Sequence, residues 1–152
     1  SNYKLNDKMK FQVLRLAFTD TSSIQNLIAD FLAGEESPTF EHLRNAIQDD
    51  RTYLYVAKTG HKIVGYCLVY KFPSIYSTHN LAYLYDIEVL QEYRRHGIGR
   101  ALILKLKEQL ANDNVNELWL GTSTDNKSGQ ALFSKTGAEK SDETFNDFTY
   151  EL

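Results

Sequence analysis

Ile98, Leu102, Leu106 and Leu110 recur every four residues, starting between the glycines Gly97 and Gly99, and the strand-like run Leu81–Val89 (LAYLYDIEV) leads up to that pair. A repeat of this kind sets one apolar stripe along a helix, while the preceding run alternates as a strand does. The middle of the chain is thereby committed to a strand–loop–helix unit. The helix is expected from about Gly99 to Asn112–Asn114, and the loop lies within Tyr93–Leu102 (YRRHGIGRAL). Every other element has to pack against this unit.

Upstream, Phe11–Phe18 alternates enough to predict a strand. Ile24, Leu27, Ile28, Phe31 and Leu32 share one helical face, with Ser22 and Gln25 spaced as a capping box. Ser37 before Pro38 predicts a second helix start, continued by Phe40, Leu43 and Ile47. The run TYLYVAKTGHKIVGYCLVYKF predicts a hairpin turning at Thr59–Gly60, and Ser74–Asn80 a polar connection. Beyond the central helix, ELWLGTS predicts a short strand, NKSGQALFSKTG a helix closed by Gly137, and FNDFTYEL a final strand. The order β-α-α-β-β-β-α-β-α-β implies an α/β fold, a mixed sheet with helices packed against it. At 152 residues the chain is expected to form a single domain, 1–152. Its first few residues, headed by Ser1, read as processed or tag-derived, with Met9 as a candidate start.

A strand-to-helix turn needs glycine for its backbone angles whether or not anything binds there, and nearby arginines are ordinarily solvated. The position of this loop favours a ligand. A helix N-terminus offers unpaired N–H groups and partial positive charge, glycines admit a ligand to the backbone, and Arg94, Arg95 and Arg100 add cations. Two familiar phosphate loops are excluded. A P-loop requires Gly-Lys-Ser/Thr where Arg100-Ala101 stands, and the dinucleotide fingerprint requires a glycine where Leu102 stands.

Composition narrows the partners. A net charge of −3 argues against a general nucleic-acid binder, and no apolar run reaches the roughly 20 residues of a membrane span. Neither nucleic acid nor membrane is expected as a partner. The single Cys67 forbids an internal disulfide and fits a reducing, cytoplasmic location. His42, His61, His79 and His96 show no ligand spacing with one another or with Cys67, so no metal is expected.

Arg94-x-x-Gly97-x-Gly99 resembles the acyl-CoA loop (Gln/Arg-x-x-Gly-x-Gly/Ala) of the GCN5-related N-acetyltransferase (GNAT) family, whose element order the whole chain also follows. NKSGQALFSKTGA, beginning at Asn126, looks like the family's Asn-x-x-Ala-x-x-x-Tyr-x-x-x-Gly-Phe, with Gly129 for Ala, Phe133 for Tyr and Ala138 for Phe. Within the family, YLYDIEVLQEYRRHGIGRALI is most similar to the aminoglycoside 3-N-acetyltransferase branch, which also carries a Tyr-Asp pair before the loop. The resemblance implies a mostly antiparallel sheet of about seven strands flanked by about four helices. It also implies acetyl-CoA as cosubstrate. The amides of His96, Gly97, Ile98 and Gly99, with Arg94, Arg95 and Arg100, would hold the pyrophosphate. The backbone around Ile87, Glu88 and Val89 would pair with the pantetheine arm, and Asn126 would bond it from the other side. A homodimer is expected on the same ground.

On an unbroken strand, Leu81, Tyr83, Tyr85, Ile87 and Val89 share one face, and Ala82, Leu84, Asp86 and Glu88 share the other. The two carboxylates then stand about 7 Å apart, immediately before the anion cradle. Acetyl transfer needs a neutral amine, and a carboxylate, directly or through water, takes its proton. Asp86 is the first candidate base and Glu88 the second, with a bulge able to reverse them. Phe133 has no proton for the leaving thiolate, so water or Tyr150 is left for that role, unless it needs none. Glu35, Glu36, Asp142, Glu143 and Asp147, with Tyr85 and Asp86, are the candidate acceptor-binding residues, and they would favour a small cationic amine. The expectation is direct acetyl transfer to such an amine, an aminoglycoside in the first place. A polyamine or protein amine, or a non-catalytic acyl-CoA-binding module, stands as the alternative.

Overall fold

The computed structural model describes residues 9–152, so the expectation about residues beginning at Ser1 falls outside it. These residues form two compact units, one ending at Gly121 and one running from Thr122 to Leu152.

The first unit is built from β1 (Gln12–Arg15), α1 (Thr21–Leu27) continuing as a π-helical turn (Ile28–Leu32), α2 (Phe40–Gln48), β2 (Thr52–Thr59), β3 (Lys62–Pro73), β4 (Asn80–Val89), a 3₁₀ turn (Gln91–Tyr93), α3 (Ile98–Asn112) and β5 (Val115–Trp119). The sheet runs β1-β2-β3-β4-β5. All neighbours are antiparallel except β4 and β5, a parallel pair joined through α3, as a parallel connection requires. The β2–β3 hairpin turns at Gly60, whose φ of 60° suits a residue without a side chain. The capping box expected at Ser22 and Gln25 does not form. Asp20 caps α1 instead, accepting from the Ser23 N–H at 3.1 Å, and Thr39 caps α2 through the His42 N–H at 3.1 Å.

The sheet carries helices on both faces. Ile24, Leu27 and Ile47 of α1 and α2 bury against Leu54, Val56 and Tyr66. Gly65, one residue before Tyr66 and so pointing the other way, lies under Ile98 of α3. A side chain there would stand 3.0 Å from the Glu88 carbonyl and 3.3 Å from Ile98 Cγ2, which is why the position has none. Ile98, Leu102, Leu106 and Leu110 are buried along α3, the stripe that the four-residue spacing predicts, and Ile103 is buried beside them. No helix among the described residues is long and apolar enough to cross a membrane.

Two further expectations change within the first unit. First, β4 is not an unbroken strand. Leu84 pairs with Val69 and Asp86 with Leu68, so three residues face two and Tyr85 is left over as a bulge. Leu68 and Val69 point to opposite faces, so Leu84 and Asp86 do too. Ala82 and Leu84 turn into the α3 side and are buried, whereas Asp86 and Glu88 stay together on the α1–α2 side. Second, the sheet has five strands, not about seven, alongside four α-helices.

The second unit holds the fourth of these helices, α4 (Lys127–Lys135). Asn126 caps it, accepting from the Gly129 N–H at 3.0 Å, and Gly137, with φ of 100°, closes it as expected. The predicted final strand, FNDFTYEL, does not form: residues 138–152 are neither helix nor strand. Alternating side chains specify a face, but a strand also requires a partner edge, and sequence alternation does not supply one.

Candidate active site

The bulge in β4 leads directly to the chemistry. Tyr66, on the neighbouring strand and only 5% exposed, donates its hydroxyl to Asp86 Oδ2 at 2.5 Å. Burial, followed by the Asp86 carboxylate that accepts this bond, pushes the Tyr66 phenol well above its ordinary range. Tyr66 therefore remains a donor, and Asp86 is held as an acceptor. Sequence reasoning missed Tyr66. Its only signal is its place opposite Glu88 in the β3–β4 register, which the alternation alone does not disclose.

Both side chains line a cavity of about 150 Å³, walled on its apolar side by Leu27, Leu32, Leu43 and Leu54. Leu32 comes from the π-helical turn, an irregularity that recurs beside functional sites. A cavity with apolar walls and one oriented carboxylate suits the alkyl part and the charge of an amine. Glu88 lies on the same face but is exposed, and it is absent from the cavity lining. Tyr85, the bulge residue, is 67% exposed beside Asp86. Glu35 and Glu36 are exposed on the loop joining the π-helical turn to α2 and do not line the cavity.

On the other side of β4, pairing with β5 covers only Asn80 to Tyr83. From Leu84 to Val89 no ladder on that side is described, so the backbone around Ile87, Glu88 and Val89 presents an open edge. The strand ends at the loop. Arg94 Nε donates to the Val89 carbonyl at 3.1 Å, which ties the loop to the strand end. Arg95 (φ 66°) and Gly97 (φ 81°) both take the left-handed conformation, and Gly97 is the N-cap of α3. No side chain caps that helix, so its first N–H groups, from Ile98 onward, keep their capacity for an acceptor. A Cβ built on Gly97 would meet nothing within 4 Å. Open space over an uncapped helix start, flanked by the exposed side chains of Arg94, Arg95, His96 and Arg100, is what an anion requires. Ile98 divides its roles: its side chain is 2% exposed and belongs to the core, while its N–H faces the loop. Gly99 lies in the first turn of α3.

The remaining candidates belong to the second unit. The Asn126 carboxamide is occupied locally, capping α4 and donating from Nδ2 to Thr122 Oγ1 at 2.9 Å. A Cβ on Gly129 would fall 2.2 Å from Asn126 Nδ2, so glycine there and this cap go together. Tyr150 is 90% exposed, and Asp142, Glu143 and Asp147 are exposed in segments without helix or strand.

The Acetyltransferase (GNAT) family profile matches residues 21–138. An uncharacterized N-acetyltransferase of Chlorobaculum tepidum is 30% identical over 103 residues, 68% of this chain and 62% of that protein. A thialysine N-epsilon-acetyltransferase of Mus musculus is 35% identical over 80 residues, 53% of this chain and 46% of that protein. The matches thus span less than two thirds of either relative. Among solved structures, an aminoglycoside acetyltransferase from an uncultured soil metagenomic sample, in complex with trehalose, superposes with a TM-score of 0.80 at 27% identity, covering 93% of this chain and 96% of that one. The same enzyme in complex with sisomicin gives the same values.

Proposed function

The chain belongs to the GNAT family of acetyltransferases, and we propose that it moves an acetyl group from acetyl-CoA directly to an amine of a small cationic acceptor, with an aminoglycoside as the first acceptor class. The observation that carries this reading is the Asp86 carboxylate, held by Tyr66 in the cavity wall, on a strand whose far edge is open and runs into an uncapped helix. The family match runs through both compact units, which supports one acetyltransferase domain.

The residues present fit the cosubstrate. The amides from His96 to Gly99, with Arg94, Arg95 and Arg100, would hold its pyrophosphate, and the open edge at Ile87–Val89 would pair with its amide-bearing arm. Bound there, acetyl-CoA supplies a thioester already activated for attack. Asp86 accepts the proton of the acceptor's ammonium group, directly or through one water, and leaves the nitrogen lone pair free. Tyr66 fixes the orientation of that carboxylate. Backbone N–H groups of the open edge would face the carbonyl oxygen as its charge grows. Cys67 takes no part. It is fully buried, and burial foremost, then the Asp86 charge, pushes its thiol far above the ordinary range. Its free thiol suits a reducing compartment, and the reading places the enzyme in the cytoplasm.

The aminoglycoside class is supported by the metagenomic enzyme's 27% identity over nearly the whole chain. The mouse relative, whose stated substrate is a lysine analogue, favours a second reading with an aminoalkyl acceptor. Release of CoA thiol from acetyl-CoA, measured against sisomicin, spermidine and thialysine, tests both. Turnover is expected, and Asp86→Asn should lose at least about 100-fold while still binding acetyl-CoA. No turnover with any amine, with acetyl-CoA still bound, would leave a non-catalytic acyl-CoA-binding module.

A further inference from the structure

The bulge at Tyr85 does more than separate Asp86 from Leu84. On an unbroken strand Tyr85 and Asp86 would point to opposite faces. With the extra residue, the Tyr85 ring reaches Tyr70, which lines the Asp86 cavity, at 5.9 Å between centroids, and Tyr83 at 6.4 Å. Tyr83 in turn meets Trp119 at 5.4 Å, and Trp119 meets Phe72 at 5.4 Å. Five rings from β3, β4 and β5 form one continuous strip on the face that carries Asp86 and Glu88. The strip is open to solvent at Tyr70 (40%), Tyr85 (67%) and Trp119 (40%). The rings stand at 59° to 90° to one another, so the surface is ridged, not a flat stack.

We infer that this strip is the acceptor's second contact surface, and that it selects amines carried on saturated, hydroxylated rings over amines on flexible chains. The inference deepens the proposed function and rests on it for the role of Asp86. The C–H-rich face of a saturated ring packs on aromatic carbon while its hydroxyls stay in water, and ammonium groups on such a ring are attracted to ring faces and to the two carboxylates. A flexible polyamine satisfies the carboxylates equally well but covers little of the strip and loses more chain freedom in doing so. Across the bulge Tyr83 and Asp86 pair with Tyr70 and Leu68, two residues apart on β3, so they stand roughly 7 Å apart along the sheet, and Trp119 lies one strand beyond Tyr83. A ligand that reaches from the carboxylate to Trp119 therefore needs more than one six-membered ring.

Trp119 is the one tryptophan in the sequence, so its emission reports occupation of the strip without any turnover. Titration of the whole protein with sisomicin should shift or quench that emission saturably, and spermidine should leave it in place. Tyr85→Ala should weaken the sisomicin Kd about tenfold and raise the ratio of the sisomicin KM to the spermidine KM by a similar factor. An unchanged ratio, or no sisomicin-dependent change at Trp119, overturns the inference. So does emission that follows protein concentration without ligand, because the strip would then be covered by a second copy. The two readings fail separately. A Trp119 response without acetyl transfer removes the proposed reaction and keeps the surface, whereas acetylation of sisomicin without any effect at Trp119 or Tyr85 does the reverse.

Discussion

Replacing Tyr66 by phenylalanine removes one oxygen and one hydrogen bond from the site. The ring would keep its edge contact with Phe31, 5.3 Å between centroids, so the packing of α1 on the sheet is little changed. What is lost is the donor 2.5 Å from Asp86 Oδ2. A hydrogen bond to a charged group contributes about 1.5–3 kcal/mol, and water entering the adjoining cavity returns part of that. A net loss of about 1.4 kcal/mol in the transition state is a factor of about ten in rate. Tyr66→Phe should therefore lower kcat/KM about tenfold and leave the acetyl-CoA Kd unchanged, because neither the loop nor the open edge of β4 uses Tyr66. The decisive assay is a double-mutant cycle in steady-state kinetics. If Tyr66 acts through Asp86, adding Tyr66→Phe to Asp86→Asn should cost less than about twofold, since the carboxylate it aimed is already gone. A second tenfold loss in that background would refute the reasoning and give Tyr66 a role of its own.

Three further outcomes follow from the same geometry. Gly65→Ala would press a methyl group against the Glu88 carbonyl and Ile98, so urea denaturation should show a loss of about 1–3 kcal/mol, whereas Gly34→Ala, with nothing within 4 Å, should be near neutral; equal stabilities would contradict the packing described. Gly97→Val would put a branched side chain at φ 81° and into the space over the α3 N-terminus, and calorimetry well below the melting point should find acetyl-CoA binding weakened at least about tenfold. Asp20, through its hydrogen bonds from Ser23, and Asp113, through the Tyr53 hydroxyl, both lie below the usual carboxylate range. Their stabilisation is fully present above the unfolded value and is lost as pH falls through the folded one, so Tm should be flat above pH 5 and drop below about pH 4, with Asp113→Asn flattening the drop.

Features encoded by local periodicity and turn chemistry are legible in the sequence alone. The leucine spacing placed α3 to within a residue of its observed start at Ile98, Thr59–Gly60 located the hairpin, and Gly137 ended the last helix. The loop from Arg94 to Gly99 could be read because its glycines and cations are neighbours in sequence. Features fixed by pairing between distant segments could not be read. The bulge depends on the register of β4 against β3, and nothing in LAYLYDIEV marks Tyr85 as the extra residue. Tyr66 reaches Asp86 across that same register. The expected final strand failed for a related reason: Phe148, Tyr150 and Leu152 alternate well enough, but no described ladder takes them in.

The open side of β4 from Leu84 to Val89 has a consequence for handling the protein. A bare strand edge is a template for another polypeptide, and proteins ordinarily blunt such edges with charge, proline or a covering element. Of the residues on this stretch only Asp86 and Glu88 are charged, and both side chains project from the face and do not cap the edge. A cosubstrate arm paired along the edge would shield the backbone from self-association as well as position a thioester. Solubility during concentration should accordingly rise with the acetyl-CoA supplied, and protein stripped of it should be the first to form sheet-rich aggregates.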